Sequence, residues 1–293
     1  MVLLTGCATS EQPLVFAGGP LQADTSAVDS YQLAIDLIEQ ELGLEVEFFE
    51  ATDRAAIAEG LASGQIDMAS IDPYGYVLSR GISTDVEVVL SMARDPEQKP
   101  GFKSFALAGA QDNTVQSLAD AKGKTVCYSD PASTAGFLFP ALGFSQAGLN
   151  PNPDTTDDFT AIFTGIVASQ PAISVSAGDC AIGFVPDGFY SNVLPNIEGF
   201  DIDSVKVIWE SELIPAYAIA VNKTSVDSET IEDVVELLAS QGNKSHFADI
   251  GICETEADCN YLNDQSWGYV TSTDMDYESV RVACLALGIM NCG

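Results

Sequence analysis

Apolar residues fall into short runs and helical repeats that alternate along the chain. Leu14 to Ala17 is an apolar run closed by Gly18-Gly19-Pro20, which predicts a strand and then a backbone turn with room for something to approach. From Val28 to Leu42 the period changes: Leu33, Leu37, Ile38 and Leu42 return at helical spacing, and Gly43 stops the helix. Leu44 to Phe49 predicts a second strand, the polar turn Glu50 to Asp53 leads into a helix from Arg54, and Ile66 to Ile71 predicts a third strand. This alternation builds a parallel sheet with right-handed crossovers. Asp72-Pro73-Tyr74-Gly75-Tyr76 follows at that strand's C-terminal edge, where open α/β sheets collect ligands. Val86 to Ala93 predicts another strand, and Arg94 to Gly101 a charged loop containing proline.

From Phe102 the pattern begins again. Lys103 to Ala108 reads as a strand, Val115 to Ala121 as a short helix, Lys124 to Tyr128 as a strand, and Phe137 to Ala147 as a helix interrupted near Pro140, where proline costs a hydrogen bond. Asp158 to Thr164, Asp179 to Val185, Val205 to Glu210 and Ala216 to Val221 read as strands, with a helix over Ser169 to Ser176. The connections near Pro100 and Pro215 look like a pair of hinge strands. Helices at Ile231 to Leu238, Gln241 to Ile250 and Tyr277 to Leu287 return to cover the first half. The expectation is therefore an α/β fold of two Rossmann-like lobes, with mixed, mostly parallel sheets and a ligand cleft between them. Lobe 1 takes residues 13–100 and 216–293, and lobe 2 takes residues 101–215.

One stretch carries the chemistry. Thr125-Val126-Cys127-Tyr128 suits a strand, Asp130-Pro131 breaks it, and Ser133 or Thr134 caps a helix that begins with Ala135, Gly136 and Phe137. A helix start leaves N–H groups unpaired and carries the positive end of the dipole, so small residues there admit an anion to the backbone. Ser133 is equally an ordinary capping residue.

Charge narrows the partners. The 293-residue chain is nearly half hydrophobic, long enough for two cores, and carries a net charge of −32 with only Arg54, Arg80, Arg94 and Arg281 as arginines. A nucleic-acid surface needs clustered Lys and Arg, so nucleic acid is excluded as a partner. The acidity does not exclude a small anionic ligand, because exposed charges are screened beyond about 8 Å at physiological salt while a helix start acts at contact. Leu4-Thr5-Gly6-Cys7 has the form of a bacterial lipobox, and residues 1–12 read as a signal remnant and tether, with Cys7 lipidated and the protein anchored outside the cytoplasm. The segment lacks a full apolar region and a basic start, so a longer signal peptide is expected. Six cysteines remain: Cys127, Cys180, Cys253, Cys259, Cys284 and Cys292. Export favours disulfides, and the most local pairing joins Cys253 to Cys259 and Cys284 to Cys292, with Cys127 and Cys180 on two strands of one lobe. Six cysteines allow 15 connectivities, so other pairings stay open. A zinc site is disfavoured by the lack of any Cys-x-x-Cys pair and by a single histidine, His246.

Asp130-Pro131-Ala132-Ser133-Thr134-Ala135-Gly136, Gly64-Gln65-Ile66-Asp67-Met68-Ala69 and Trp209-Glu210-Ser211-Glu212-Leu213-Ile214-Pro215 together resemble the phosphate, phosphite and phosphonate class of ABC-transporter substrate-binding proteins. The resemblance runs from about Leu14 to Leu287. It implies a two-lobed periplasmic-binding-protein fold of type II that clamps a small oxyanion, works with ABC permease subunits and needs no cofactor. The family's Ser-Thr-Ser-Gly cradle corresponds to Ser133, Thr134, Ala135 and Gly136, so one hydroxyl is missing. Arg54 stands where phosphonate binders tend to place a tyrosine, and reads either as an anion ligand or as a surface arginine paired with Glu50 or Asp53. The family's cleft histidine and following acid fall on Ile166 and Val167, which argues against an aminoalkyl phosphonate. Asp187 falls where some members place a cleft acid, and Tyr74 and Tyr76 either wall the cleft or pack. The function implied is capture of a phosphonate, phosphite or phosphate by lobe closure. The alternatives are a different organic ligand in the same fold, an enzyme, or a sensor. No phosphate loop or nucleophile elbow supports the enzyme.

Overall fold

The computed structural model describes residues 12–19, 27–51, 53–259, 261–262, 266–289 and 292. Cys7 and its lipobox, like Pro20, lie outside them. In chain order the first half contains β1 (Leu14–Gly18), α1 (Ala27–Leu42), β2 (Val46–Phe49), α2 (Arg54–Ser63), β3 (Met68–Ile71), α3 (Pro73–Ile82) and β4 (Val86–Ala93). Next come β5 (Gly101–Phe102), β6 (Ser104–Gly109), β7 (Thr125–Tyr128), α4 (Phe139–Gln146), β8 (Thr160–Phe163), α5 (Gln170–Ala177), β9 (Ile182–Pro186), β10 (Val205–Glu210) and β11 (Ile214–Pro215). The chain closes with β12 (Ala218–Asn222), α6 (Ser228–Gln241), α7 (Lys244–Asp249), β13 (Gly268–Thr271) and α8 (Glu278–Ala286). No helix among the described residues is long and apolar enough to cross a membrane.

Two mixed sheets result. The first has the order β13-β4-β12-β3-β1-β2, with β1 parallel to both β2 and β3. Strand β12 is antiparallel to β3 and to β4, so β4 runs with β1 to β3 and four of the six strands point one way. The second sheet has the order β10-β6-β9-β7-β8, with β7 parallel to β8 and β9 and with β6 reversed. Between them β5 pairs antiparallel with β11, Ile214 opposite Phe102, at the two connections that the prolines marked.

Strand alternation divides each sheet between two cores. In β4 a bulge at Val89, where the register with β12 shifts, resets the alternation, so that Val86 and Val88 enter the layer under α2, α3 and α8 while Leu90 and Met92 enter the layer under α1 and α6. In the second sheet Val126, Tyr128, Ile182 and Phe184 share one layer, and Cys127 and Val185 share the other. One core crosses between the sheets: Ala135, Leu138 and Phe139 pack with Tyr74, Val280 and Cys284. The disulfides are Cys127–Cys180, Cys253–Cys259 and Cys284–Cys292, the pairing favoured by sequence locality.

Helix α3 is an addition to the sequence reading. Asp72 caps it through a 2.8 Å bond from the Gly75 amide, and Pro73 sits in the first turn, where its missing N–H costs nothing. The same logic accommodates Pro140. Thr134–Leu138 forms a single π-helical turn, and α4 begins afresh at Phe139 with Pro140 in its own first turn. The short helix expected over Val115 to Ala121 is a 3₁₀ turn at Leu118–Ala121.

Candidate functional site

The turn after β7 forms as its sequence predicts. Ser133 caps it, its Oγ accepting from the Gly136 amide at 3.0 Å, while the Phe137 and Leu138 amides donate to the Ser133 carbonyl. A Cβ at position 136 would overlap the Ser129 hydroxyl, which is why glycine stands there. Ala135 is held by its carbonyl, which accepts from Ser104 Oγ at 2.7 Å.

The turn faces the first sheet's C-terminal edge, and it is not open. The Thr134 amide donates to Asp72 Oδ2 at 3.0 Å, and the Thr134 hydroxyl accepts from the Tyr74 amide at 2.9 Å. Thr134 is 1 % exposed. Two helix starts thus cap one another across the gap, and the anion resting on Thr134 is the protein's own Asp72 carboxylate. This corrects the expectation of amides free for a ligand: in this closed arrangement Asp72 has filled the position.

Arg54 is the adjoining cation. It opens α2 behind the Asp53 cap, and its side chain is only 13 % exposed, so the surface reading of this residue does not hold. Its Nη1 lies 3.4 Å from Asp72 Oδ2 and donates to the Tyr217 hydroxyl at 3.3 Å. Its Nε is buried without an acceptor among the described residues. Burial disfavours the guanidinium charge, but Tyr217, Asp72 and Asp130 outweigh it and hold the Arg54 pKa above its ordinary value.

From Arg54 a cleft of about 70 Å³ runs between the sheets, walled by Met92, Phe102, Pro186, Phe189 and Tyr217. Ala168, next to Ile166 and Val167, lies on the same wall, as does the second arginine, Arg94. Arg94 spans the gap to Asp187 at 2.7 Å, and the same Asp187 oxygen accepts from the Gly188 amide. Asp187 is therefore half of an ion pair with the cleft-lining Arg94 rather than a free acid. Tyr74 is buried, and burial, then Asp72, pushes its hydroxyl up to about 12. Tyr76 is no cleft wall: its hydroxyl donates to Asp274 at 2.7 Å and its ring meets Tyr277 edge-on at 4.9 Å beneath α8.

The structure thus brings together Ser133, Thr134, Ala135, Gly136, Tyr74 and Arg54, sets Asp187 farther along, and removes Tyr76. Sequence reasoning missed Asp72, Phe102, Phe189 and Tyr217 as site residues. Asp72 carried a readable signal, an aspartate before proline at a strand end. The three aromatics look like any other core positions in sequence.

The family profile of ABC-transporter periplasmic substrate-binding proteins for phosphonate matches residues 16–277. The chain belongs to this family. Among its relatives, the phosphate-import protein PhnD of Mycolicibacterium smegmatis is 29 % identical over 305 aligned positions, covering 99 % of this chain and 94 % of the relative. A binding-protein component of an ABC phosphonate transporter from Pseudomonas aeruginosa shares the fold with a TM-score of 0.76 at 18 % identity, over 95 % of this chain and 87 % of the other. PhnD1 from Prochlorococcus marinus, solved in complex with methylphosphonate, also gives 0.76 at 15 % identity, over 94 % and 98 %. The two-lobed α/β fold expected from the alternating pattern, which the resemblance identified with periplasmic binding proteins, is the fold of these neighbours. In this member of the phosphonate-binding family, the gap between the sheets joins a buried arginine, a capped turn and an apolar-walled cleft.

Proposed function

We propose that the protein is an extracytoplasmic receptor of an ABC importer that captures a small phosphorus oxyanion, a phosphonate, phosphite or phosphate, between residues 13–100 plus 216–293 and residues 101–215. The observation that carries this reading is Arg54, a charged guanidinium buried at the head of the cleft whose Nε has no acceptor among the described residues. A buried charged donor without a partner is costly, and an oxyanion entering the cleft supplies the missing acceptor. The lobes part about β5 and β11, the Asp72–Thr134 and Tyr74–Thr134 bonds yield, and closure over a ligand restores them around it. The role needs no catalytic group, only release of the ligand to a permease. Leu4-Thr5-Gly6-Cys7 supports a lipid anchor on Cys7, which mass spectrometry of the purified native protein tests directly.

Thermal unfolding with phosphate, phosphite, methylphosphonate, sulfate and an organic cation such as thiamine tests the ligand class. An oxyanion present at a hundred times its dissociation constant stabilises by about 2.7 kcal/mol, a readily measured rise in midpoint. A rise with thiamine alone, with every oxyanion inert, would overturn the proposal.

A further inference from the structure

We infer that the cleft takes a phosphonate bearing a second anionic group, a carboxylate on a short carbon spacer, and that Arg94 is the residue that selects it. The inference rests on the reading that the cleft takes a phosphorus oxyanion, and it names the tail that fits. The chain has 43 Asp and Glu and only four arginines, yet among the described residues the charged groups lining the cleft are Arg54 and Arg94, with no carboxylate. Arg54 opens α2 and Arg94 directly follows β4, so two separate elements bring them to one cavity of about 70 Å³. Each is backed by an aspartate that does not line the cleft. Asp72 Oδ2 lies 3.4 Å from Arg54 Nη1, and Asp187 Oδ1 lies 2.7 Å from Arg94 Nη2. A guanidinium presents a fork of five N–H donors, so one aspartate at one nitrogen orients it without using the rest. Arg54 Nε has no acceptor among the described residues. Arg94 bonds Asp187 through Nη2, and its half-exposed side chain keeps its other N–H groups open to an incoming oxygen.

The rest of the wall is mostly apolar, with Met92, Phe102, Pro186 and Phe189 on it. Inorganic phosphate and methylphosphonate satisfy Arg54 and leave Arg94 as it was. A tail ending in a carboxylate lays its carbons on the apolar wall and its oxygens on Arg94, where a planar guanidinium pairs them side by side. A tail ending in an ammonium carries a cation into a cleft whose lining charges are both positive. Asp187 does not reverse this preference, because its charge is already met at contact by Arg94 and by the Gly188 amide.

Titration calorimetry on the intact protein with methylphosphonate, phosphonoacetate, 3-phosphonopropionate, 2-aminoethylphosphonate and inorganic phosphate tests the tail. Near neutral pH the carboxylate is ionised and the amine protonated, their ordinary pKa values being about 4 and about 10. The better of the two carboxylates is expected to bind about 10- to 100-fold more tightly than methylphosphonate, the worth of a hydrogen bond between charged groups. The aminoethyl compound is expected to bind more weakly than methylphosphonate. In Arg94→Gln the carboxylate-to-methyl ratio should fall to within about threefold, whereas Arg94→Lys, which keeps the charge without the fork, should give an intermediate ratio. If Arg94→Gln does not fold, the wild-type ratio and Arg94→Lys decide the matter. Methylphosphonate bound as tightly as both carboxylates, tighter binding of the ammonium tail, binding of inorganic phosphate alone, or an unchanged ratio in Arg94→Gln would each overturn the inference while leaving an oxyanion receptor standing. Failure of all five ligands to bind would remove both.

Discussion

The Thr134 hydroxyl accepts from the Tyr74 amide, and the Thr134 amide donates to Asp72, both in the buried seam between the sheets. On a cradle role alone, Thr134→Val would weaken an oxyanion and spare the fold. The structure changes that expectation. Valine keeps the shape but strands the Tyr74 N–H, so the closed protein should lose about 1–3 kcal/mol in denaturant unfolding as well as affinity. Unchanged stability would mean that the two helix starts are not held together in solution. Gly18 gives a second test. A Cβ there would enter the Tyr31 ring, which is fully buried between Phe16 at 5.4 Å and Phe48 at 6.0 Å and has nowhere to retreat. Gly18→Ala should destabilise by about 1–3 kcal/mol in the same measurement, and a neutral result would show that the ring yields. The glycine's need for a close approach was legible in sequence. Its partner was not, since a ring delivered from α1 leaves no local mark.

At the scale of elements, the two long connections through β5 and β11 and the alternation of strand and helix could be read because period and proline placement are local properties. Helix α3 does repeat Tyr74, Val77, Leu78 and Ile82 at helical spacing, but Pro73, Gly75 and Gly81 read as turn residues and hid it. Its capping pair, Asp72-Pro73, was the better signal. The disulfides differ in what they can contribute. Cys127–Cys180 ties β7 to the start of β9 across a separation of 53 residues, whereas Cys253–Cys259 spans 6. On loop-closure entropy the first stabilises by about 4 kcal/mol and the second by about 2. Replacing both cysteines of each pair by alanine, with unfolding followed in urea, should show the longer loop costing roughly twice as much. Equal losses would point to a denatured state that keeps β7 and β9 together.

Over the whole molecule, 43 Asp and Glu against only 11 Lys and Arg leave a net charge of −32, which opposes the compact state. Individual carboxylates are nonetheless well placed. The Thr114 hydroxyl and amide hold Asp112 below its usual range, and backbone amides do the same for Asp120 at Gln116, Asp158 at Asn150 and Asp227 at Thr230. For such depressed groups the stabilisation is present above the unfolded value, about 3.9, and is lost as pH falls through the lower folded one. Acid therefore removes local support while it also relieves the global repulsion, and salt separates the two. Chloride screens the long-range repulsion, whose reach falls from about 30 Å at 0.01 M to about 3 Å at 1 M, but acts less on hydrogen bonds at contact. At neutral pH the unfolding midpoint should accordingly rise between these two chloride concentrations. Towards pH 4, where protonation has already cut the net charge, that rise should shrink. A midpoint insensitive to chloride at neutral pH would mean that the acidic surface is not under repulsive strain. A salt effect that persists undiminished in acid would assign it to something other than charge.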